Sequence, residues 1–152
     1  MKTILTLLLS TLALTAQPSL TLEYPAGEFA KDAVVIVKLV GNDIKDLDTY
    51  TCDVLYNDKA LRLQYASHDA AFQGMPNALA APGRKLIPFV KKKPGKVNFA
   101  ITVAGAKKSK QKIENGILGV LVFKVVGTEE TGLALDNVEL LDSERKRIVV
   151  GQ

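Results

Sequence analysis

The sequence has one cysteine, Cys52, one histidine, His68, and no tryptophan. A lone cysteine excludes an internal disulfide, so stability must come from a hydrophobic core. One histidine and one cysteine also exclude a zinc site built from those residues and a Cys–His nucleophile pair. His68, next to Asp69, reads as a solvated loop residue, and Cys52 as a packed thiol on a strand. No glycine-rich phosphate loop leads into a helix, and no G-x-S-x-G is present. Carboxylates pair at Asp46 and Asp48, at Glu129 and Glu130, and at Asp136 and Glu139. Each pair falls in a polar turn or on an outward strand face, where solvated charge is the ordinary state. The expectation is a non-catalytic protein with no cofactor and no metal.

Acidic residues are missing from Ala70 through Ile113, a stretch that carries ten positive charges, while the segments on either side are net acidic. The formal net charge of +4 is nevertheless too small to imply a nucleic-acid partner. Long apolar runs are missing as well, except at the N terminus. There Lys2 precedes an apolar stretch from Ile4 to Leu14, and Ala13–Ala16 offers small residues ahead of Gln17-Pro18. This pattern predicts a signal peptide over residues 1–16, too short for a membrane span of about 20 residues. Residues 17–152 then form one exported domain, secreted or periplasmic in a bacterium, with no membrane span.

Helix-period spacing is absent, and what remains is strand after strand. Apolar alternation or short apolar runs, separated by Gly, Pro, Asn and Asp, mark Ser19–Tyr24, Ala33–Val40, Tyr50–Tyr56, Leu61–Tyr65 and Ile87–Val90. Val97–Val103, Ile117–Val126, Leu133–Leu140 and Arg147–Val150 complete a set of nine. Pro88 places its strand at a sheet edge, because proline donates no ladder hydrogen bond. The period of two slips at Asn137, which predicts a β-bulge. Between Ser67 and Arg84, Gly74, Pro76, Asn77, Pro82 and Gly83 mark a long loop, with room for a helical turn at Ala70–Phe72 or Asn77–Ala81. The fold class is all-β, a nine-stranded antiparallel sandwich of two sheets.

The tract YTCDVLYNDKAL, Tyr50–Leu61, resembles the cohesin pattern of alternating core residues closing on a tyrosine, a short turn and a leucine. Gly116–Val125 followed by Leu135–Asp142 resembles that family's last large hairpin, and the order of elements agrees over nearly all of residues 17–152. The resemblance implies a jelly-roll sandwich related to the second and third families of cellulose-binding modules. It also implies one sheet containing the strands of Asp53, Val90, Phe99 and Leu135, whose outer face receives a dockerin-like module. Dockerins carry their own calcium, so no metal is implied in this chain. Carried over by position, the partner-binding residues are Thr49, Thr51, Asp53, Val90, Asn98, Ala100, Asp136 and Glu139. Thr49 and Thr51 stand where cohesins often present Asn and Asp.

Two further surfaces are candidates. Arg84, Lys85, Lys91, Lys92, Lys93 and Lys96 form a basic patch, either a solubilising sheet edge or an attraction for an acidic partner. Val34, Ile36, Val120 and Val122 form an apolar outer face, with Val35, Val37, Leu39, Leu121, Phe123 and Val125 pointing inward. That face is either ordinary strand composition or an interface with a partner or a second copy, centred on Val120 and Val122. A polysaccharide partner is the alternative to protein docking. Most of the nine Phe and Tyr residues fall at inward positions, which leaves Phe29, Phe72 and Phe89 as sugar contacts. A structural component of a secretion or adhesion apparatus is a third reading.

Overall fold

The computed structural model describes residues 16–104 and 112–151. The expected signal peptide, but for Ala16, therefore lies outside the described residues, as do Lys107, Lys108 and Lys110. The described chain is a jelly-roll β-sandwich with ten strands where nine were expected. One four-stranded sheet has the order β1-β2-β9-β5 and the other β10-β4-β7-β6. In the first sheet the strands are β1 (Ser19–Glu23), β2 (Val34–Asn42), β9 (Gly116–Val125) and β5 (Leu61–Ser67). In the second they are β10 (Ala134–Asp142), β4 (Leu47–Leu55), β7 (Lys96–Ala104) and β6 (Lys85–Lys93). All pairings are antiparallel. The two strands that alternation did not reveal are β3 (Ile44–Lys45) and β8 (Lys112–Ile113), which pair only with each other and are too short to show a period.

The ninth expected strand, Arg147–Val150, is a strap. Ile148 N–H donates to the Leu140 carbonyl of one sheet's edge, and Gly151 N–H donates to Pro18, just ahead of β1 in the other sheet. An apolar, alternating segment satisfies a strap as well as a strand, because it too has a wet side and a dry side. The one helical turn among the described residues is a 3-10 turn, Ala71–Gln73, and no helix there is long and apolar enough to cross a membrane.

The core forms where the inward residues of the two sheets meet. Val35, Val37, Leu39, Leu61, Leu121, Phe123 and Val125 of one sheet face Tyr50, Cys52, Val54, Val97, Phe99, Ile101 and Leu140 of the other, all buried. Each fully buried large apolar side chain contributes about 1.5–3 kcal/mol. Cys52 packs among them, and burial with the neighbouring Asp53 charge pushes its thiol up to about 12.

Four register shifts break the ladders, one of them between Leu141 and Asp142 of β10, where Asp48 is the extra residue on β4. In β10, Asp136 pairs with Asp53 and Glu139 with Thr51, so Asn137 and Val138 share the place opposite Cys52, as the slip in the sequence predicted. Asn137 takes a left-handed φ of 50°, a conformation asparagine tolerates. In β5, the register shifts between Leu63 and Tyr65. In β9, Leu39 pairs with Gly119 and Val40 with Ile117, leaving Leu118 as the extra residue. The Leu118 carbonyl accepts from the Tyr50 hydroxyl of the opposite sheet and from the Asn77 amide at 3.2 Å. Asn77 is buried, donates also to the His68 carbonyl at 2.5 Å, and accepts from Leu79 N–H at 2.9 Å. With Ala78 N–H bonded to the Ile117 carbonyl at 2.7 Å, the long loop is fastened to β9.

Gly119 faces the Phe99 ring, and a Cβ there would sit 3.1 Å from the nearest ring carbon. Gly119→Ala is expected to destabilise the fold by about 1–3 kcal/mol, because the ring is enclosed and must shift. Urea unfolding of the two proteins measures the difference, and equal midpoints would show that Phe99 has room to move.

Candidate functional site

The outer face of the β10-β4-β7-β6 sheet is set by the burial of Tyr50, Cys52 and Val54, which turns Thr49, Thr51, Asp53 and Leu55 outward. The register then lays out four rows across the strands. They read Ala134–Leu55–Lys96–Lys93, Asp136–Asp53–Asn98–Lys91, Glu139–Thr51–Ala100–Phe89 and Leu141–Thr49–Thr102–Ile87. A fifth position adds Lys85 beside Ala104. Small residues fill the middle, so the face is flat. Ile87 is 50% and Phe89 55% exposed on the β6 edge, amid Lys85, Lys91 and Lys93. The opposite edge carries the exposed carboxylates of Asp136 and Glu139.

Of the residues expected from the resemblance to meet a partner, Thr49, Thr51, Asp53, Asn98, Ala100, Asp136 and Glu139 share this face, and Val90 does not. Val90 pairs with the buried Phe99 and packs against the core, and its neighbour Phe89 takes the outward place beside Ala100. Leu86, Ile87, Phe89 and Val90 are all apolar, so the sequence of this edge strand holds no polar alternation to reveal its register. The same register puts Lys91 and Lys93 on the face and turns Lys92, opposite buried Val97, to the other side.

Asp53 points outward but is only 4% exposed. Lys96 Nζ lies 2.5 Å from one carboxylate oxygen, to which Asn137 also donates at 2.7 Å, and Asn98 donates to the other at 2.9 Å. Lys96 is therefore an internal counter-ion and not a member of a free basic patch. Thr49 is likewise engaged, with its hydroxyl 2.7 Å from that of Thr102 and accepting from Arg145 at 3.0 Å. Arg145, which no sequence pattern singled out, reaches across from the loop after β10 and lies 3.5 Å from Asp48.

On the other sheet, Val34 is 66% exposed, and Ile36 and Val122 are half-buried neighbours across β2 and β9. Val120 was expected beside them but is fully buried, although the ladder turns it away from the sandwich interior between Lys38 and Ser67. It sits toward the end of β9 that the Asn77 loop covers, so it is not available to a partner. The β5 bulge instead turns Tyr65 outward beside Val122, where its ring meets that of Phe72 edge-on at 5.8 Å. Phe29 packs against the core and lines an end cleft of about 590 Å³ with Tyr24, Glu28, Glu129 and Glu130. Phe29, Phe72 and Phe89 thus lie in three separate places and form no common platform for a sugar.

His68 lies 3.5 Å from Asp69, and no group of three His, Cys, Asp or Glu residues capable of holding a metal occurs among the described residues. Burial alone would raise the Asp53 pKa, but the hydrogen bonds from Lys96, Asn137 and Asn98 and the Lys96 charge outweigh it and hold the carboxyl below its ordinary value. A carboxyl depressed in the folded state stabilises above its unfolded pKa of about 3.9 and loses that contribution as pH falls through the folded value. Asp53→Asn is expected to cost about 1–3 kcal/mol at neutral pH, with the half-exposed Lys96 free to turn to water. The gap should close below about pH 4. Thermal unfolding of both proteins across pH 2–7 checks this, and a constant gap would place the effect outside the ion pair.

No family model and no curated protein sequence matches this chain. Solved structures do. The second type II cohesin module from the adaptor ScaA scaffoldin of Acetivibrio cellulolyticus superposes with a TM-score of 0.73 at 16% identity, over 89% of this chain and 85% of that one. The non-cellulosomal cohesin of the archaeon Archaeoglobus fulgidus gives 0.64 at 12% identity, over 90% and 86%. The cohesin of a type II Cohesin-X-Dockerin complex from Acetivibrio cellulolyticus gives 0.67 at 13% identity, over 89% and 93%. Two four-stranded sheets in this order, spanning nearly the whole described chain, are what the tracts around Tyr50–Leu61 and Gly116–Asp142 implied, and the fold is that of the cohesin modules.

Proposed function

We propose that this chain is a non-catalytic docking module that captures a dockerin-type protein module on the outer face of the β10-β4-β7-β6 sheet. One observation carries the reading: that face is flat, with the half-exposed Ile87 and Phe89 set between three lysines and a central strip of small residues. Small ligands need concavity to be enveloped, whereas a macromolecule with its own apolar ridge can bury such a face. Clefts of about 590 and 620 Å³ lie at the sandwich end and beside the C-terminal strap, the second touching the face only at Asp136 on its β10 edge. The similarity in fold to a cohesin solved in a Cohesin-X-Dockerin complex supports a dockerin as the partner class. The signal-peptide pattern of residues 1–16 supports export, and with it a place in extracellular or periplasmic complexes that serve polysaccharide breakdown.

Within this reading Phe89 is the anchor and Ile87 its support, since exposed aromatics dominate docking energetics. The lysines of the β6 edge set the approach of an acidic partner and its salt dependence. Titration of immobilised chain with calcium-loaded dockerin modules tests the proposal. Phe89→Ala is expected to weaken capture at least about tenfold, and Lys91→Glu to slow association and flatten its dependence on salt. Capture left intact by both changes, at unchanged melting temperature, would remove this face from the interaction.

A further inference from the structure

We propose that the same face pairs with itself, so that two copies of the chain associate through their β10-β4-β7-β6 sheets. The charges on the face are sorted by edge. Asp136 and Glu139 stand on β10, and Lys85, Lys91 and Lys93 stand on β6, three strands away at the opposite edge of the sheet. The central acid, Asp53, is already neutralised by Lys96. A two-fold axis lying along the strands, between β4 and β7, lays β10 of each copy over β6 of the other. Asp136 then faces Lys91 twice, and Leu141 faces Ile87 twice, because the register places each pair at opposite ends of one row. Glu139 comes over Phe89, one row from Lys91. A two-fold axis across the strands would set acid on acid and lysine on lysine, so the charge pattern selects a single arrangement, an isologous one.

In the middle of the face Thr51, Asn98, Ala100 and Thr102 are small or half-buried, and the one charged side chain reaching over the central strands, Arg145 against Thr49, already lies 3.5 Å from Asp48. Four strands about 4.8 Å apart and rows about 6.8 Å apart give roughly 500 Å² per copy, or roughly 1,000 Å² in all. That is the lower end of specific interfaces, so the dimer is reversible and sensitive to salt. It would hold the face closed until a better partner displaces the second copy. The self-association stands on the charge pattern alone, and only this last consequence rests on the docking reading.

Sedimentation equilibrium on the purified chain, alone, decides the matter. Wild type is expected to shift from monomer to dimer with concentration, and less so as salt rises. Lys91→Glu and Asp136→Lys each place like charges across both edge contacts and are expected to weaken the dimer by about tenfold or more. An equimolar mixture of the two variants pairs opposite charges at both contacts again and is expected to restore association. Both residues are exposed, and circular dichroism verifies that the variants remain folded. A wild type monomeric at about 1 mM, variants that dimerise like wild type, or a mixture that stays monomeric would each overturn the proposal. Failure of dockerin capture with the dimer intact would instead sink the docking reading and leave this inference in place.

Discussion

One buried carbonyl, that of Leu118, holds the parts of this molecule in register. The bulge in β9 takes Leu118 out of the pairing with β2, and a carbonyl left unpaired at that depth would cost about 1–3 kcal/mol. Two side-chain donors satisfy it, and each comes from a different part of the fold. Tyr50 reaches it through the interior from β4, while Asn77 reaches it from the long loop after β5. Burial pushes the Tyr50 phenol well above its ordinary range, so it stays protonated and remains a donor. The same carbonyl therefore ties sheet to sheet and sheet to loop. Gly119, the next residue, has no side chain, and Phe99 occupies the space that one would fill.

The placement of Tyr50 fixes the candidate face. Once it points inward, alternation sends Thr49, Thr51 and Asp53 outward, and the β4–β7 register carries that choice to Asn98, Ala100 and Thr102. A second polar cluster then removes charge from the centre of the face. Asn137 sits in the β10 bulge with its amide over Asp53, and Lys96 closes the other side. Without that bulge Asn137 would follow the regular pleat, and the carboxylate would lose one of its two amide donors. Among the described residues, the charge that remains on the face is at its edges, apart from Arg145, which lies against Thr49.

Alternation or a short apolar run bounded by turn residues was enough to show eight of the ten strands. The β10 bulge was visible because a polar Asn137 interrupts the apolar run. The bulges at Gln64 and Leu118 were not visible, since Tyr65 and Leu118 are apolar or amphipathic and fit either face. Tyr65, in step with Leu61 and Leu63 in the sequence, is therefore turned outward and 41% exposed. Val90 failed for a related reason, in that an edge strand of Leu, Ile, Pro, Phe and Val takes its register from β7 and not from its own pattern. Asn77 reads as a solvated loop residue in sequence. Its burial depends on a contact with Leu118, forty-one residues away, which no local pattern encodes.

The basic stretch illustrates how topology divides a sequence feature into unlike parts. Ten positive charges in a row of residues without acids suggest one patch, yet strand alternation and pairing disperse several of those the structure describes. Lys96 is consumed by Asp53, Lys112 bridges Asp43 and Glu114, and Lys92 turns to the reverse side of the edge strand. Among the described residues of this stretch, what stays on the flat face is a single file, Lys85, Lys91 and Lys93, around Ile87 and Phe89. A file of charge on one edge and carboxylates on the other gives the face a direction as well as an affinity. Apolar contact at Phe89 supplies binding energy without orientation, and the two charged edges supply orientation with little net energy in water. A flat docking surface needs both, because small central residues such as Ala100 and Thr102 offer nothing to fix the rotation of whatever lies on them.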